Sequence, residues 1–221
     1  MLSNIVITGA NRGIGLALAS LYKSRGNKAF ALCRQSSETL DALGVEVLSG
    51  VDVSSDETLS KLPTLLSEIE IDLLINNAGV LQNEILGNLD VTSIRRQFEV
   101  NALGPLKITE ALLAQIKEGG KIALITSRMG SIADNTSGGR YGYRMSKAAL
   151  NIAGVSLAHD VAARKIAVAI LHPGLVGTRM IGGAGDITPN QAAERLAKRI
   201  EELTLDTSGR FWHSNGELLP W

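Results

Sequence analysis

A tyrosine and a lysine four positions apart, in Tyr143-Arg144-Met145-Ser146-Lys147, are the pair in this sequence best suited to moving a proton. On a helix, residues i and i+4 lie on one face. An ammonium beside a phenol favours phenolate and lowers a pKa whose reference value is about 10. That brings the phenol toward the range where general acid–base chemistry runs near neutrality. Such a pair also arises on helices with no chemical role, so its meaning depends on its surroundings.

The segment Thr8-Gly9-Ala10-Asn11-Arg12-Gly13-Ile14-Gly15 carries a different chemistry. It follows an apolar run and opens an apolar helix pattern. Free amides and the dipole at a helix start favour an anion such as a pyrophosphate, and glycine permits the tight turn and the close approach. A glycine cluster after a strand can be a plain structural turn. Here strand, glycines and helix stand in the order a dinucleotide-binding turn requires. Which dinucleotide depends on charge beside the adenosine ribose, where a carboxylate accepts from the 2′-hydroxyl of NAD and repels a 2′-phosphate. The second apolar run ends Ala31-Leu32-Cys33-Arg34-Gln35-Ser36, with no carboxylate before Glu38. Arg34 and Arg12 would clamp a phosphate as planar guanidinium donors, although either one alone would pass for a solvated surface arginine. NADP(H) is therefore expected in preference to NAD(H).

These groups need a scaffold. Apolar runs at 5–8, 29–33, 45–51, 73–76, 121–126 and 167–171 read as strands, most of them buried on both faces. Segments 13–25, 56–69, 93–117, 142–163 and 189–202 read as helices. The stretch 54–57 resembles a capped helix start with early acids, and Pro189 directly after Thr188 suits a first helical turn. The alternation predicts an α/β fold: a doubly wound parallel sheet of about seven strands, with right-handed crossovers and helices on both faces. The aromatic tail, Phe211-Trp212 to Trp221, reads as a final strand with core or interface packing. No Pro/Ser-rich linker or internal repeat divides the chain, so residues 1–221 are expected to form a single domain. The long glycine-rich loops 127–142 and 174–188 both follow strands, at the carboxyl edge where open α/β folds bind ligands.

Aromatic residues are only 4% of the chain against 45% apolar, so small aliphatic side chains must fill the core. The 22 basic and 22 acidic residues cancel, which leaves no bulk electrostatic reason to bind nucleic acid or a charged membrane. Cys33 is alone and cannot form an internal disulfide, which fits a reducing compartment. No signal-peptide pattern opens the chain, and no apolar run approaches the ~20 residues that span a bilayer. A cytoplasmic protein is expected. His159, His172 and His213 lack the spacing of a metal set.

Over essentially its whole length the chain resembles the short-chain dehydrogenase/reductase family. The residues that carry the resemblance are the 8–15 turn, Asn76-Asn77-Ala78-Gly79, Ser127 and the Tyr143–Lys147 motif, in that order. Asp52-Val53 and His172-Pro173-Gly174 are further matches. The turn, the Tyr143 motif and the ending Gly209-Arg210-Phe211-Trp212…Leu219-Pro220-Trp221 look most like the C-factor-type, carbonyl-reductase-like branch. The resemblance implies a Rossmann fold and NADP(H)-dependent reduction of a small aldehyde, ketone or quinone. Tyr143 would protonate the carbonyl oxygen as hydride arrives from the nicotinamide, or deprotonate the alcohol in reverse. Lys147 would hydrogen-bond the nicotinamide ribose and stabilise phenolate, while Ser127 would polarise the carbonyl. Ser131 is the rival to Ser127, but Ser127 follows its strand directly and Ser131 suits a turn. Asn101 would hold a water linking Lys147 to solvent, although it can equally be a satisfied polar group beside a helix kink.

For the cofactor, the resemblance implies phosphate contacts from Gly9, Asn11, Arg12, Gly13, Ile14 and Gly15, with Arg34 on the 2′-phosphate. Asp52 and Val53 would meet the adenine, with Asp52 also suited to capping the next turn. Asn77, Ala78 and Gly79 would line the adenosine ribose. Pro173, Gly174, Val176 and Thr178 would hold the nicotinamide carboxamide. Segment 179–188 matches the family's lid over the substrate, and its brevity implies a fairly open site. Met129, Ile132 and Met180 are candidates for an apolar substrate wall. Helices 93–117 and 142–163 match the family's usual interface, which implies a possible homo-oligomer.

Two readings compete with carbonyl reduction. One is a dinucleotide-binding regulatory protein of the C-factor type, in which turnover is secondary. The intact Ser127, Tyr143 and Lys147 argue against it, because binding alone does not require an acid–base set. The other, dehydration or epimerisation of a nucleotide sugar, is disfavoured by a chain too short for an added substrate domain.

Overall fold

Strands apolar on both faces need helices on both sides, and the computed structural model, which describes residues 3–221, supplies them. The chain runs β1 (Asn4–Thr8), α1 (Gly13–Ser24), β2 (Lys28–Leu32), α2 (Glu38–Asp41), β3 (Glu46–Leu48), α3 (Asp56–Leu65) and β4 (Ile71–Asn76). It continues through α4 (Val91–Phe98), α5 (Gly104–Leu112), β5 (Ile116–Ile125), α6 (Tyr141–Asp160), β6 (Ala167–His172), α7 (Pro189–Glu201) and β7 (Phe211–His213). All seven strands are parallel, in the order β3-β2-β1-β4-β5-β6-β7. This is the doubly wound, single-domain Rossmann fold that the alternation of elements implied.

Alternate residues of each central strand feed two separate cores. Val6, Ile122, Leu124, Val168 and Ile170 pack under α3, α5 and α6, against Leu62, Ile108 and Leu150. Ile5, Ile7, Ala123, Ile125 and Ala169 pack on the other face, against Leu18 of α1 and Leu196 and Ile200 of α7. Strand order reverses between β1 and β4, so the segments leaving these two strands flank a crevice at the topological switch point.

Some boundaries differ from the sequence expectation. Segment 93–117 is not one helix. It divides into α4, a π-helical turn at Glu99–Leu103, α5 and a 3-10 turn at Leu113–Gln115. Ile116 and Lys117 instead begin β5, where Ile116 pairs with Ile71. The Arg164 guanidinium takes the carbonyls of Leu113, at 2.7 Å, and Ile116, so the helical run ends with its carbonyls satisfied. Helix α3 stops at Leu65, short of 69, and Pro63 in its last turn contributes no N–H to the ladder. β3 shrinks to three residues, and α6 gives way at Ala162–Arg164 to a 3-10 turn. The short α2, which no periodicity signalled, is capped by Ser37. The expected starts hold: Ser55 caps α3, and Thr188 forms a reciprocal capping box with Gln191 ahead of Pro189. The aromatic tail does supply the final strand, β7, with Phe211 stacked on Trp221 at 5.4 Å.

Candidate active site

At the switch point the glycine turn and the segment after β4 are stitched together. Thr8 Oγ1 accepts from the amides of Asn77 and Ala78, each at 3.0 Å. Asn77 Nδ2 donates back to the carbonyls of Thr8 and Gly9, at 3.0 and 3.3 Å. A Cβ on Gly15 would lie 2.3 Å from the Gly9 carbonyl oxygen, and one on Gly9 would lie 2.9 Å from Ala78 Cα. Close packing, as well as the positive φ of Gly9 and Gly13, therefore demands glycine here. Helix α1 starts bare: Arg12 at its N-cap makes no capping hydrogen bond, and the first turn holds no acid. An uncapped helix start behind a cradle too tight for any Cβ fits the pyrophosphate of a dinucleotide.

Among the other sequence-expected cofactor residues, Thr178 reaches this turn. Arg12 and Arg34 are both exposed. A Cβ on Gly13 would sit 3.4 Å from Thr178 Cγ2, so the segment after β6 reaches the glycine turn. Val176 is buried and bridges to Ile187. Asp52 caps its own turn, with Oδ1 accepting from the Ser54 amide at 2.9 Å and hydroxyl at 2.7 Å. Burial alone would raise the Asp52 carboxyl, but the Ser54 hydrogen bonds and the Arg34 and Arg96 charges outweigh it and hold the pKa below its ordinary value.

The candidate acid–base groups meet one strand further along. β5 delivers Ser127 just past its carboxyl end, and α6 delivers Tyr143 and Lys147, all three buried. Lys147 Nζ donates to the Ile125 carbonyl at 2.9 Å and lies 5.8 Å from the centroid of the Tyr143 ring. Burial raises the Tyr143 phenol, against the opposing influence of the Ser127 hydroxyl and the Arg140 charge. Burial also pushes the Lys147 ammonium down to about 7. Sequence reasoning expected Lys147 to lower this phenol. Desolvation wins instead, because it disfavours the charged form of both partners. Ser127 Oγ accepts from the Met129 amide at 3.2 Å. Ser131 is also buried, and its hydroxyl accepts from the Asp134 amide at 3.0 Å, so both serines hold a local backbone amide.

Asn101 lies in the π-helical turn, wholly buried. Its side chain accepts from Val80 N and donates to Val80 O, both at 2.8 Å, and also donates to Ser146 Oγ at 3.0 Å. It is thus a satisfied polar residue at a helix irregularity. It also borders Lys147, since a Cβ on Gly79 would lie 3.3 Å from Asn101 Oδ1 and 3.8 Å from Lys147 Nζ. Met129 is half-buried, with its Sδ 3.6 Å from Arg140 Nη1, whereas Met180 and Ile132 are exposed. Segment 179–188 folds back on the strand exit: Asp186 N donates to Leu175 O at 2.8 Å and Gly177 N to Ile187 O at 2.9 Å.

Two groupings had no sequence signal. His172 and His213 face each other across the β6–β7 pairing, ring centroids 4.8 Å apart, and only strand register joins them. Burial drives His172 down to about 3, so it is neutral near pH 7. Glu84, in the loop after β4, is buried against Gln97 and the start of α6. Among the described residues no cluster of three or more His, Cys, Asp or Glu could hold a metal, and no helix is long and apolar enough to cross a membrane.

A parallel sheet with a bare glycine turn at its switch point, and a buried Ser, Tyr and Lys beside it, defines a dinucleotide-dependent type of enzyme fold. A family model described as short chain dehydrogenase matches residues 3–202, and the chain belongs to the short-chain dehydrogenase/reductase family of oxidoreductases. It is 42% identical over 226 residues, with all of both chains covered, to the 1-hydroxy-2-glutathionyl-2-methyl-3-butene dehydrogenase of Rhodococcus sp. (strain AD45). It is also 42% identical over 154 residues to the C-signal of Myxococcus xanthus, covering 68% of this chain and 93% of that one. Among solved structures it resembles an NADPH-bound carbonyl reductase from chicken fatty liver, with a TM-score of 0.91 and 27% identity, covering 100% of this chain and 99% of that one.

Proposed function

We propose that this protein reduces a small aldehyde, ketone or quinone to the alcohol, with NADPH as the reductant. The observation that carries the reading is the convergence of Ser127, Tyr143 and Lys147 in one buried corner beside the glycine turn. NADPH, when bound, supplies the hydride. Tyr143, kept neutral by burial, holds the proton that the carbonyl oxygen takes up. Ser127 donates to that oxygen and fixes its position. Lys147, whose ammonium burial pushes down toward neutrality, returns a proton toward the phenolate that remains. In the oxidative direction, which the name of the Rhodococcus relative describes, Tyr143 accepts the alcohol proton instead.

Two features support NADP(H) over NAD(H): exposed Arg12 and Arg34, which follow β1 and β2 and would be free to clamp a 2′-phosphate, and the lack of a carboxylate at the end of β2. The NADPH in the chicken neighbour points the same way. The test is NADPH oxidation against a panel of aldehydes, ketones, diketones and quinones. We expect turnover with kcat/KM higher for NADPH than for NADH, and a ratio below one would overturn the cofactor assignment. Tyr143→Phe should cut turnover by at least about 100-fold.

The similarity to the C-signal favours a second reading, in which nucleotide binding has a signalling role and turnover is secondary. Tyr143→Phe separates the two. Biological activity that survives this change in full while carbonyl reduction is lost would establish the signalling role.

A further inference from the structure

We infer that Glu84 and Gln97 form a buried clamp that sets the position of Tyr143, an inference that rests on the acid–base role proposed above. Glu84 is 2% exposed and Gln97 wholly buried, and neither is among the expected site residues. As a carboxylate, Glu84 can only accept hydrogen bonds. Its Oε1 accepts from Ser93 Oγ at 2.8 Å and from Gln97 Nε2 at 2.5 Å. Its Oε2 accepts from the amide of Gly142, the residue before Tyr143, at 3.1 Å. Its backbone carbonyl accepts from the Arg140 amide at 2.9 Å. Gln97 completes the set, with Oε1 accepting from the Gln82 amide at 3.0 Å.

Helix α6 needs this support. Its N-cap residue, Arg140, is left-handed at φ 50° and provides no side-chain cap. Glu84 therefore supplies the missing acceptor from a distant part of the chain, along with a negative charge at the positive end of the helix. The fit is close, because a Cβ on Gly142 would lie 2.5 Å from Gln97 Nε2. The donors and acceptors fix a direction: Glu84 must accept on both sides, and Gln97 must donate to Glu84 while accepting from Gln82. A glutamine at position 84 turns its NH₂ toward either Gly142 N or Gln97 Nε2, and two donors then face each other. Exchanging the two side chains restores the pairing, with the Ser93 hydroxyl turned to accept from position 84 and donate to position 97. The amide side chain, moved to position 84, would donate to the carboxylate at position 97 and accept from Gly142 N. That carboxylate would still accept from Gln82 N.

The experiment compares wild type, Glu84→Gln, the exchanged pair Glu84→Gln/Gln97→Glu, and Tyr143→Phe. It measures kcat and KM for the best carbonyl of the panel, NADPH affinity and Tm. Glu84→Gln should lower kcat about 10- to 100-fold, since a displacement near 1 Å can cost that much, with NADPH affinity unchanged within about twofold. The exchanged pair should recover kcat to within about threefold of wild type. Full kcat in Glu84→Gln well below its Tm, or a folded exchanged pair no better than the single variant, would overturn the clamp. If Glu84→Gln does not fold, the exchanged pair decides alone: recovered kcat supports the clamp, and a folded, inactive pair overturns it. Hydrogen exchange at the Gly142 and Tyr143 amides reads the clamp without turnover. It should accelerate in Glu84→Gln and return to the wild-type rate in the exchanged pair. A wild type that reduces no carbonyl would thus defeat the functional reading while exchange still decides the clamp.

Discussion

Burial drives Tyr143 and Lys147 toward their uncharged forms, one upward and the other down to about 7. In the unfolded chain Lys147 titrates near its ordinary value of 10.5. Between the two values the unfolded state binds more protons than the folded one, so this residue makes stability rise with pH from about 7 upward. Lys147→Met keeps the length of the side chain and removes the titration. The Tm of the wild type should climb relative to that of the variant between about pH 7 and 9.5, followed by differential scanning fluorimetry. Parallel curves would mean that the ammonium is not desolvated as its surroundings indicate. The spacing of Tyr143 and Lys147 was plain in the sequence, yet the sign of the phenol shift was not, because desolvation depends on packing from β5 and α6.

Elements decide where these side chains meet. Periodicity located the helices but read straight through the π-helical turn at Glu99–Leu103, because a single-turn widening leaves the apolar pattern nearly intact. That turn lets Asn101 reach the backbone of Val80 and tie the exit of β4 to the α4–α5 run. Helix ends with local signals were legible, as at Thr188 and Pro189. The end of α5 was not, because the partner that takes up the carbonyl of Leu113 just beyond it is Arg164, far away in sequence. The Thr188–Gln191 box also anchors the close of segment 179–188. Thr188→Ala should cost about 1 kcal/mol and lower Tm by about 2–4 °C, measured by thermal unfolding. An unchanged Tm would leave the cap without energetic weight.

At the scale of the whole molecule, the outer surfaces of α4, the following turn, α5 and α6 leave Phe98, Leu106, Met145 and Ile152 exposed, the last at 64%. These are the helices expected to associate, and burying such side chains against a second copy would follow the area rule for apolar surface. Sedimentation should find a homo-oligomer that Ile152→Asp shifts toward monomer, and a monomeric wild type would refute the association. The sequence alone determined the sheet class, the glycine turn and the shared helix face of Tyr143 and Lys147, because strand period, helix period and turn chemistry are local properties that survive in one dimension. Tertiary structure decided which way the Tyr143 pKa moves and that Glu84 caps the helix of Tyr143. It also joined His172 to His213. Each of these depends on residues far apart in the chain, and only strand register and helix packing bring such groups within hydrogen-bonding or desolvating distance.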